Sequence, residues 1–289
     1  MGIGAILLTL GAALSWALTS VLMKVGLTRM SRVGFAAIRP WMGLVFIVPY
    51  AFLTNGLQFG SARLVLVATA GSLLNAFLGT ALFYYAISTG PLHRASILSN
   101  TNPFWAVVSA VIVLGEPARP ASFVAAVLVI LGAYIMFERK RDPSDRRILP
   151  VLAALGAGAL WGFASAVPTK YCLEGGMSPI AYQLLFAGSA GIWWGFAALP
   201  GLVKRRIVVT RSGLSVALLS AFFGYFAGWI LWLTALRSAP ASLLSPISGT
   251  SVLFTVLMSI LFLGERLTLR TAIGGAFAFA AVVIVSLFG

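Results

Sequence analysis

Two of the chain's six acidic residues occupy a repeated phrase. Glu116 stands in Leu-Gly-Glu-Pro at residues 114–117, and Glu265 stands in Leu-Gly-Glu-Arg at residues 263–266. A carboxylate beside a long apolar run can couple protons, bind a cation or cap a helix end. The choice among these roles depends on the elements that carry the two glutamates.

Residues for other kinds of chemistry are few. The chain has one cysteine, Cys172, and one histidine, His93. A single cysteine excludes an internal disulfide, and so few thiol and imidazole ligands argue against a metal site. The sequence offers no catalytic Ser/His/Asp constellation. We therefore predict that the chain is not an enzyme and needs no metal or other cofactor.

The composition predicts a helical membrane protein. Hydrophobic residues make up 60% of the 289 residues and charged residues only 9%, whereas a soluble domain carries about 25% charge. The apolar runs are long and continuous, unlike the alternating strands of a membrane barrel. The net charge is +14, but the basic residues lie in short clusters between apolar runs. The positive-inside rule explains this distribution, so we predict a bilayer and not a nucleic acid as partner.

Ten apolar runs approach the length of about 20 residues that crosses a bilayer. The polar stretch ERKRDPSDRR lies in a linker, residues 138–149, that joins residues 1–137 to residues 150–289. We predict an all-α integral membrane protein with transmembrane helices at residues 3–23, 33–53, 64–87, 95–114, 121–137, 150–171, 179–199, 214–235, 244–263 and 271–288.

The basic residues also predict an orientation. Sixteen of the twenty Lys and Arg residues lie in or beside the odd-numbered loops. Because basic loops stay in the cytoplasm, we predict a multi-pass protein of the cell inner membrane with both termini on the extracytoplasmic side.

The two halves of the chain repeat each other. A shift of 149 positions places residues 79–117 on residues 228–266, with eleven of 39 positions identical. Each half has five predicted spans, an odd number, so the second copy enters the membrane upside down. Inverted repeats are typical of alternating-access transporters, whose substrate site lies near the bilayer midplane between the repeats. Two repeats in one chain complete the pseudo-symmetric unit, so we predict a monomer.

The sequence resembles the EamA family of the drug/metabolite transporter superfamily. The resemblance rests on Trp-x-x-x-Ser in the first span of each half (16–20 and 161–165) and on Leu-Gly-Glu at the end of each fourth span. It implies ten helices around a central cavity, which helices 1–4 and 6–9 line. It also implies transport of a small polar metabolite, with amino-acid export as the leading hypothesis. A choline or other quaternary-ammonium carrier with an aromatic cage is one alternative. A lipid-linked sugar flippase or nucleotide-sugar carrier is another.

Charged side chains are scarce inside the predicted spans. No Asp or Glu lies within one, which disfavours coupling through an embedded carboxylate. Glu116 and Glu265 end their spans, and we predict that they cap or pair with helices 5 and 10. Arg39, beside Pro40, either extends to the headgroups or binds an anionic group such as an amino-acid carboxylate. The same two alternatives apply to Lys170.

The candidate substrate-binding residues are polar or aromatic and lie on the helices expected to line the cavity. Packing between helices, or an aromatic belt at the membrane surface, is the alternative for each of them. These candidates are Trp16, Ser20, Arg39, Asn75, Tyr85, Ser96, Asn100, Trp161, Ser165, Tyr225, Trp229 and Ser245. The candidate structural and gating residues, where we predict bending of helices 3–4 and 8–9, are Gly79, Pro103, Glu116, Pro168, Gly228, Pro246 and Glu265.

Overall fold

A computed structural model of the chain describes residues 2–89, 98–136, 148–204, 206–263 and 269–288. Within these ranges the regular secondary structure is helical. The predictions for Ser96, Glu265 and most of the polar linker lie outside the described residues.

The helices follow the predicted apolar runs closely. In chain order they are α1 (Ile3–Leu27), α2 (Arg32–Thr54), α3 (62–89), α4 (Asn102–Leu114), α5 (Pro120–Met136), α6 (Ile148–Glu174), α7 (Pro179–Val203), α8 (Arg211–Leu236), α9 (241–263) and α10 (Leu269–Phe288).

Six of the described helices are long and apolar enough to cross a membrane: α1, α2, residues 62–86 of α3, α6, α7 and α8. Shorter apolar helices occur at Asn102–Leu114, Pro120–Gly132, Ala241–Thr255 and Ala272–Ile284. The chain is therefore a multi-pass membrane protein, as its composition predicts.

Two helices contain a π-helical turn that the sequence analysis missed. In α3 the turn covers Leu73–Gly79, and in α8 it covers Phe222–Ala227. The 149-residue shift places Leu73 on Phe222, so the two turns occupy equivalent positions of the repeat. A π turn holds one extra residue, bends the backbone hydrogen-bond ladder and is often found at functional sites.

The fourth helix of each predicted half has an interruption, again at equivalent positions. Helix α9 breaks at Gly249 and Thr250, between Ala241–Ser248 and Ser251–Leu263. The segment before α4 breaks at Asn100 and Thr101. The Thr101 hydroxyl donates to the Leu98 carbonyl at 2.8 Å, and the Thr250 hydroxyl donates to the Ile247 carbonyl at 2.7 Å.

This interruption corrects the prediction of one continuous helix over residues 95–114. Pro103 consequently lies in the first turn of α4, where a missing N–H leaves no hydrogen bond unmade. Pro168 lies inside the continuous helix α6, and Pro246 lies just before the break in α9.

The predicted halves pack against each other in a reciprocal way. Helix α1 contacts α8 and α9 of the second half, and α6 contacts α3 and α4 of the first. Helices α2 and α7 pack together, and so do α5 and α10. The contacts of α1 are thus mirrored by those of α6, and the other two pairs join equivalent helices, so the core is shared between the halves.

The contacts of α1 with α8 and of α6 with α3 each place a tryptophan against a glycine. A Cβ added at Gly79 would lie 2.7 Å from the indole of Trp161, and one added at Gly228 would lie 2.7 Å from the indole of Trp16. Both glycines stand at the end of a π turn. Since real Cβ atoms do not approach so closely, only glycine allows the tryptophan of one half to pack on the bent helix of the other.

We expect Gly79→Ala and Gly228→Ala to lower the thermal unfolding temperature of the purified protein in detergent. Overpacking of this kind destabilises proteins by about 1–3 kcal/mol. Gly188→Ala is the matched control, because Gly188 is helical and a Cβ there meets no atom within 4 Å. That change should leave stability equal or raise it by about 0.5–1 kcal/mol, since alanine is the better helix former. Equal melting temperatures for all three variants would contradict the proposed contact.

Candidate functional site

A buried arginine lies where four helices meet. Arg39 of α2 is only 8% exposed. Its guanidinium carbon lies 5.6 Å from the ring centroid of Phe35 and 5.4 Å from that of Tyr225 in α8. Arg39 also interacts electrostatically with Tyr84 of α3. The side chain is covered by protein, which argues against the headgroup alternative.

In the part of the chain that the structure describes, Arg39 lacks the carboxylate partner that normally offsets a buried positive charge. The ion pair among the described residues joins Lys170 to Glu174, and no described carboxylate pairs with Arg39. The Nε atom of Arg39 is buried without a hydrogen-bond partner. Burial of a charge is costly unless a counter-charge and hydrogen bonds offset it. The arrangement is therefore suited to binding an anion.

A glycine in the π turn of α8 makes room for this arginine. A Cβ at Gly224 would lie 3.0 Å from Arg39 Nη2 and 3.0 Å from Thr19 Oγ1 of α1. The equivalent residue in α3, by the 149-residue shift, is Asn75. The two π turns thus share a backbone shape but differ in the space beside it.

Aromatic rings from α1, α7 and α8 form one cluster next to Arg39. The closest pair is Phe186 and Trp229, with ring centroids 4.4 Å apart. Phe186 lies 6.5 Å from Tyr225, and Trp229 lies 6.0 Å from Trp16. The structure therefore brings together four of the predicted residues, namely Arg39, Tyr225, Trp229 and Trp16.

Helix α7 donates to one backbone carbonyl in each π turn. The Gln183 amide Nε2 donates to the Tyr225 carbonyl, and the Trp194 indole donates to the Ala76 carbonyl at 2.7 Å. Ala76 and Tyr225 are equivalent under the 149-residue shift. A π turn disturbs the regular ladder, and these side chains provide donors for it.

Gln183 is a site residue that the sequence analysis missed. Its side chain is fully buried, and its Oε1 atom has no hydrogen-bond partner. The available signal was that Gln183 is the only amide side chain in the apolar run of α7.

The remaining predicted residues lie in several surroundings. Trp161 and Asn75 bond to each other. The Trp161 indole donates to the backbone carbonyl of Asn75 at 3.1 Å, and the side-chain amide of Asn75 donates to the backbone carbonyl of Trp161 at 3.4 Å. Tyr85 is 40% exposed, whereas its neighbour Tyr84 is 8% exposed and faces Arg39. Asn100 lies half-buried at the interruption before α4.

The predicted serines bond to their own helices. Ser20 donates to the Trp16 carbonyl, Ser165 to the Gly162 carbonyl and Ser245 to the Ala241 carbonyl. The structure does not place these hydroxyls beside Arg39.

Glu116 caps a helix, but the helix differs from the predicted one. Its two carboxylate oxygens accept the backbone N–H groups of Ala241 and Ser242, each at 2.8 Å. These are the first amides of α9, where the helix dipole favours an anion. The prediction that Glu116 serves helix 5 is wrong, because its carboxylate reaches across to the other half of the chain.

Lys170 bonds to backbone carbonyls at the end of α8, the helix that precedes α9 in the chain. Its Nζ atom donates to the Leu236 carbonyl at 2.6 Å and to the Ala239 carbonyl at 3.1 Å. It also lies 3.6 Å from the carboxylate of Glu174. Lys170 therefore binds the C-terminal end of α8. It neither extends to the headgroups nor binds an anionic group of a substrate, which were the two alternatives given for it. The turn at residues 237–240 is held on one side by Lys170 and on the other by Glu116.

Comparison with known proteins gives matches over the whole chain. The family described as the EamA-like transporter family matches residues 3–138 and 148–287. The threonine/homoserine exporter RhtA of Escherichia coli (strain K12) is 29% identical over 187 residues, which are 65% of this chain and 60% of RhtA. The chain thus spans about 60% of the length of this curated relative.

Two further matches are another curated transporter and a solved structure. A riboflavin transporter of Rhizobium johnstonii (strain DSM 114642 / LMG 32736 / 3841) is 30% identical over 191 residues, covering 65% of this chain and 60% of that protein. A solved crystal structure superimposes with a TM-score of 0.82 and 16% identity, covering 99% of this chain and 98% of the other. At this identity the match shows the fold alone.

We expect Glu116→Ala to lower the free energy of unfolding by about 0.5–2 kcal/mol, the usual effect of removing a helix cap. Thermal unfolding in detergent measures the change. Glu174→Ala is the matched control, since that carboxylate is exposed and its ion pair among the described residues is the 3.6 Å contact with Lys170. A loss of stability that is no larger for Glu116→Ala than for the control would show that the bidentate cap contributes nothing.

Proposed function

We propose that this chain, which belongs to the EamA-like transporter family, exports small metabolites that carry a carboxylate, and amino acids first among them. The family match confirms the resemblance found in the sequence. The relatives are named as transporters, and the proposal is accordingly one of transport rather than catalysis.

We further propose that ten transmembrane helices form two inverted repeats, residues 1–137 and 150–289, around a central cavity. The equivalent π turns and the equivalent helix interruptions support this arrangement. The reciprocal packing of α1 and α6 supports it as well. In alternating-access transporters, irregular helices of this kind lie at the substrate site between the repeats. The distribution of basic residues supports placing both termini on the extracytoplasmic side.

The single observation that carries the substrate class is the buried guanidinium of Arg39, which pairs with no carboxylate among the described residues. A substrate carboxylate would supply the missing counter-charge and accept its hydrogen bonds. RhtA is named as an exporter of threonine and homoserine, both of which carry such a group. The aromatic cluster beside Arg39 would contact the rest of the substrate. No Asp or Glu occurs within a predicted span, so we propose facilitated export or exchange and not coupling through an embedded carboxylate.

A flat aromatic anion or neutral ring is a second candidate substrate. The pair of Phe186 and Trp229 rings offers stacking surfaces, and one relative is named as a riboflavin transporter. A quaternary-ammonium substrate fits less well, because Arg39 would repel its charge at the same cluster.

Flux into proteoliposomes tests the proposed function. The panel consists of labelled threonine, homoserine, riboflavin, choline and a nucleotide sugar. We expect threonine or homoserine to move faster than choline, because only the amino acids bring a carboxylate to Arg39. A panel in which no amino acid moves above empty liposomes would exclude the proposed substrate class.

We expect Arg39→Met to lower amino-acid flux by at least about tenfold, since loss of one member of a buried charge pair has effects of this size or larger. Arg39→Lys keeps the charge but not the bidentate geometry and should retain part of the flux. Arg32→Met is the matched control, because Arg32 is the exposed first residue of the same helix. Equal flux for Arg39→Met and Arg32→Met would remove Arg39 from the site.

A further inference from the structure

Two polar side chains, each with one buried atom that lacks a hydrogen-bond partner, contact the same residue of α8. The Arg39 guanidinium lies over the ring of Tyr225, and the Gln183 amide bonds to the backbone carbonyl of Tyr225. Arg39 Nε and Gln183 Oε1 are both buried and both lack a partner. The first is a donor with a positive charge, and the second is a neutral acceptor.

We infer that Gln183 is the second polar anchor of the substrate site and that its Oε1 atom accepts a hydrogen bond from a substrate ammonium group. This inference rests on the proposed function and narrows it. A site that combines the Arg39 guanidinium with the Gln183 amide oxygen would recognise a zwitterion. It selects α-amino acids over carboxylates that lack an amino group.

The hydrogen bond to Tyr225 fixes which end of the Gln183 amide faces the site. A backbone carbonyl can only accept, so the amide nitrogen must point toward it. The oxygen then points away from Tyr225. Gln183 cannot reverse its amide without placing two acceptors against each other. The orphan acceptor is therefore built into the packing and does not depend on the choice of amide orientation.

The neighbours of Gln183 suit a cation. Phe186 lies one helical turn along α7 and packs on Trp229. Tyr182, which precedes Gln183, is fully buried with a hydroxyl that has no partner. The rings of Tyr182 and Trp229 are 6.5 Å apart. The residues around Gln183 therefore include several aromatic rings, whose faces attract cations.

The alternative is that Gln183 only supports the π turn of α8. In that role it would hold the Tyr225 carbonyl, as Trp194 holds the Ala76 carbonyl in α3. The two roles use different atoms of the Gln183 side-chain amide. A purely structural Gln183 uses the nitrogen, and substitution would weaken transport of every substrate by the same factor. A binding role uses the oxygen, and substitution would alter selectivity.

The test compares flux of threonine with flux of its deamino analogue, 3-hydroxybutyrate, in proteoliposomes. Both carry a carboxylate for Arg39, but only threonine carries an ammonium. We expect Gln183→Met to lower the threonine to 3-hydroxybutyrate flux ratio by roughly tenfold to a hundredfold, the range for a lost hydrogen bond to a charged group. Flux of 3-hydroxybutyrate should fall much less than flux of threonine. Gln58→Met is the control, since Gln58 is the chain's other glutamine and is exposed.

Gln183→Glu keeps the test decisive if the Met variant does not fold. A carboxyl group at this position keeps an acceptor oxygen for the ammonium, and its protonated form can also donate to the Tyr225 carbonyl. We expect this variant to preserve the preference for threonine. An unchanged ratio in Gln183→Met, an equal loss of both fluxes, or loss of the preference in Gln183→Glu would overturn the inference. If the unsubstituted protein moves neither compound, the proposed function fails first.

Discussion

The structure depends on the rule that backbone polar groups inside a bilayer must find partners within the protein. Lipid offers neither donors nor acceptors, so irregular backbone is tolerated only where side chains satisfy it. Here the π turns of α3 and α8 receive donors from Trp161, Trp194 and Gln183. The ends of α8 and α9 receive Lys170 and Glu116. The bends that a transporter needs are thus stabilised by a small set of polar side chains.

The same rule separates Lys170 and Glu116 from Arg39. Lys170 bonds to carbonyls at a helix C-terminus, and Glu116 bonds to amides at a helix N-terminus. Both charges are matched by the opposite end of a helix dipole. Arg39 is equally shielded but contacts rings and no carboxylate among the described residues. The anionic substrate proposed above would supply the counter-charge that the described residues do not give Arg39.

The sequence predicts the apolar helices, the 149-residue repeat and the family because these depend on composition and spacing along the chain. It does not reveal the π turns, since one extra residue in a turn leaves the apolar run unchanged. It cannot identify the partner of Glu116, because the amide of Ala241 lies 125 positions away. The sequence analysis names Tyr85 as a candidate for the site, whereas the structure places its neighbour Tyr84 against Arg39. Neighbouring helical residues point about 100° apart, and only packing decides which one faces Arg39.

The repeat also explains how a symmetric backbone can form an asymmetric site. In α3 the space beside the π turn is occupied by a residue of the turn itself, because the side chain of Asn75 bonds to Trp161 there. In α8 the equivalent residue is Gly224, and the vacated space admits Arg39 Nη2. The next equivalent pair is Ala76 and Tyr225, so the aromatic ring that Arg39 contacts exists only in the second half. These two differences, Asn75 against Gly224 and Ala76 against Tyr225, therefore leave room and an aromatic ring for Arg39 beside the turn of α8 but not beside the turn of α3.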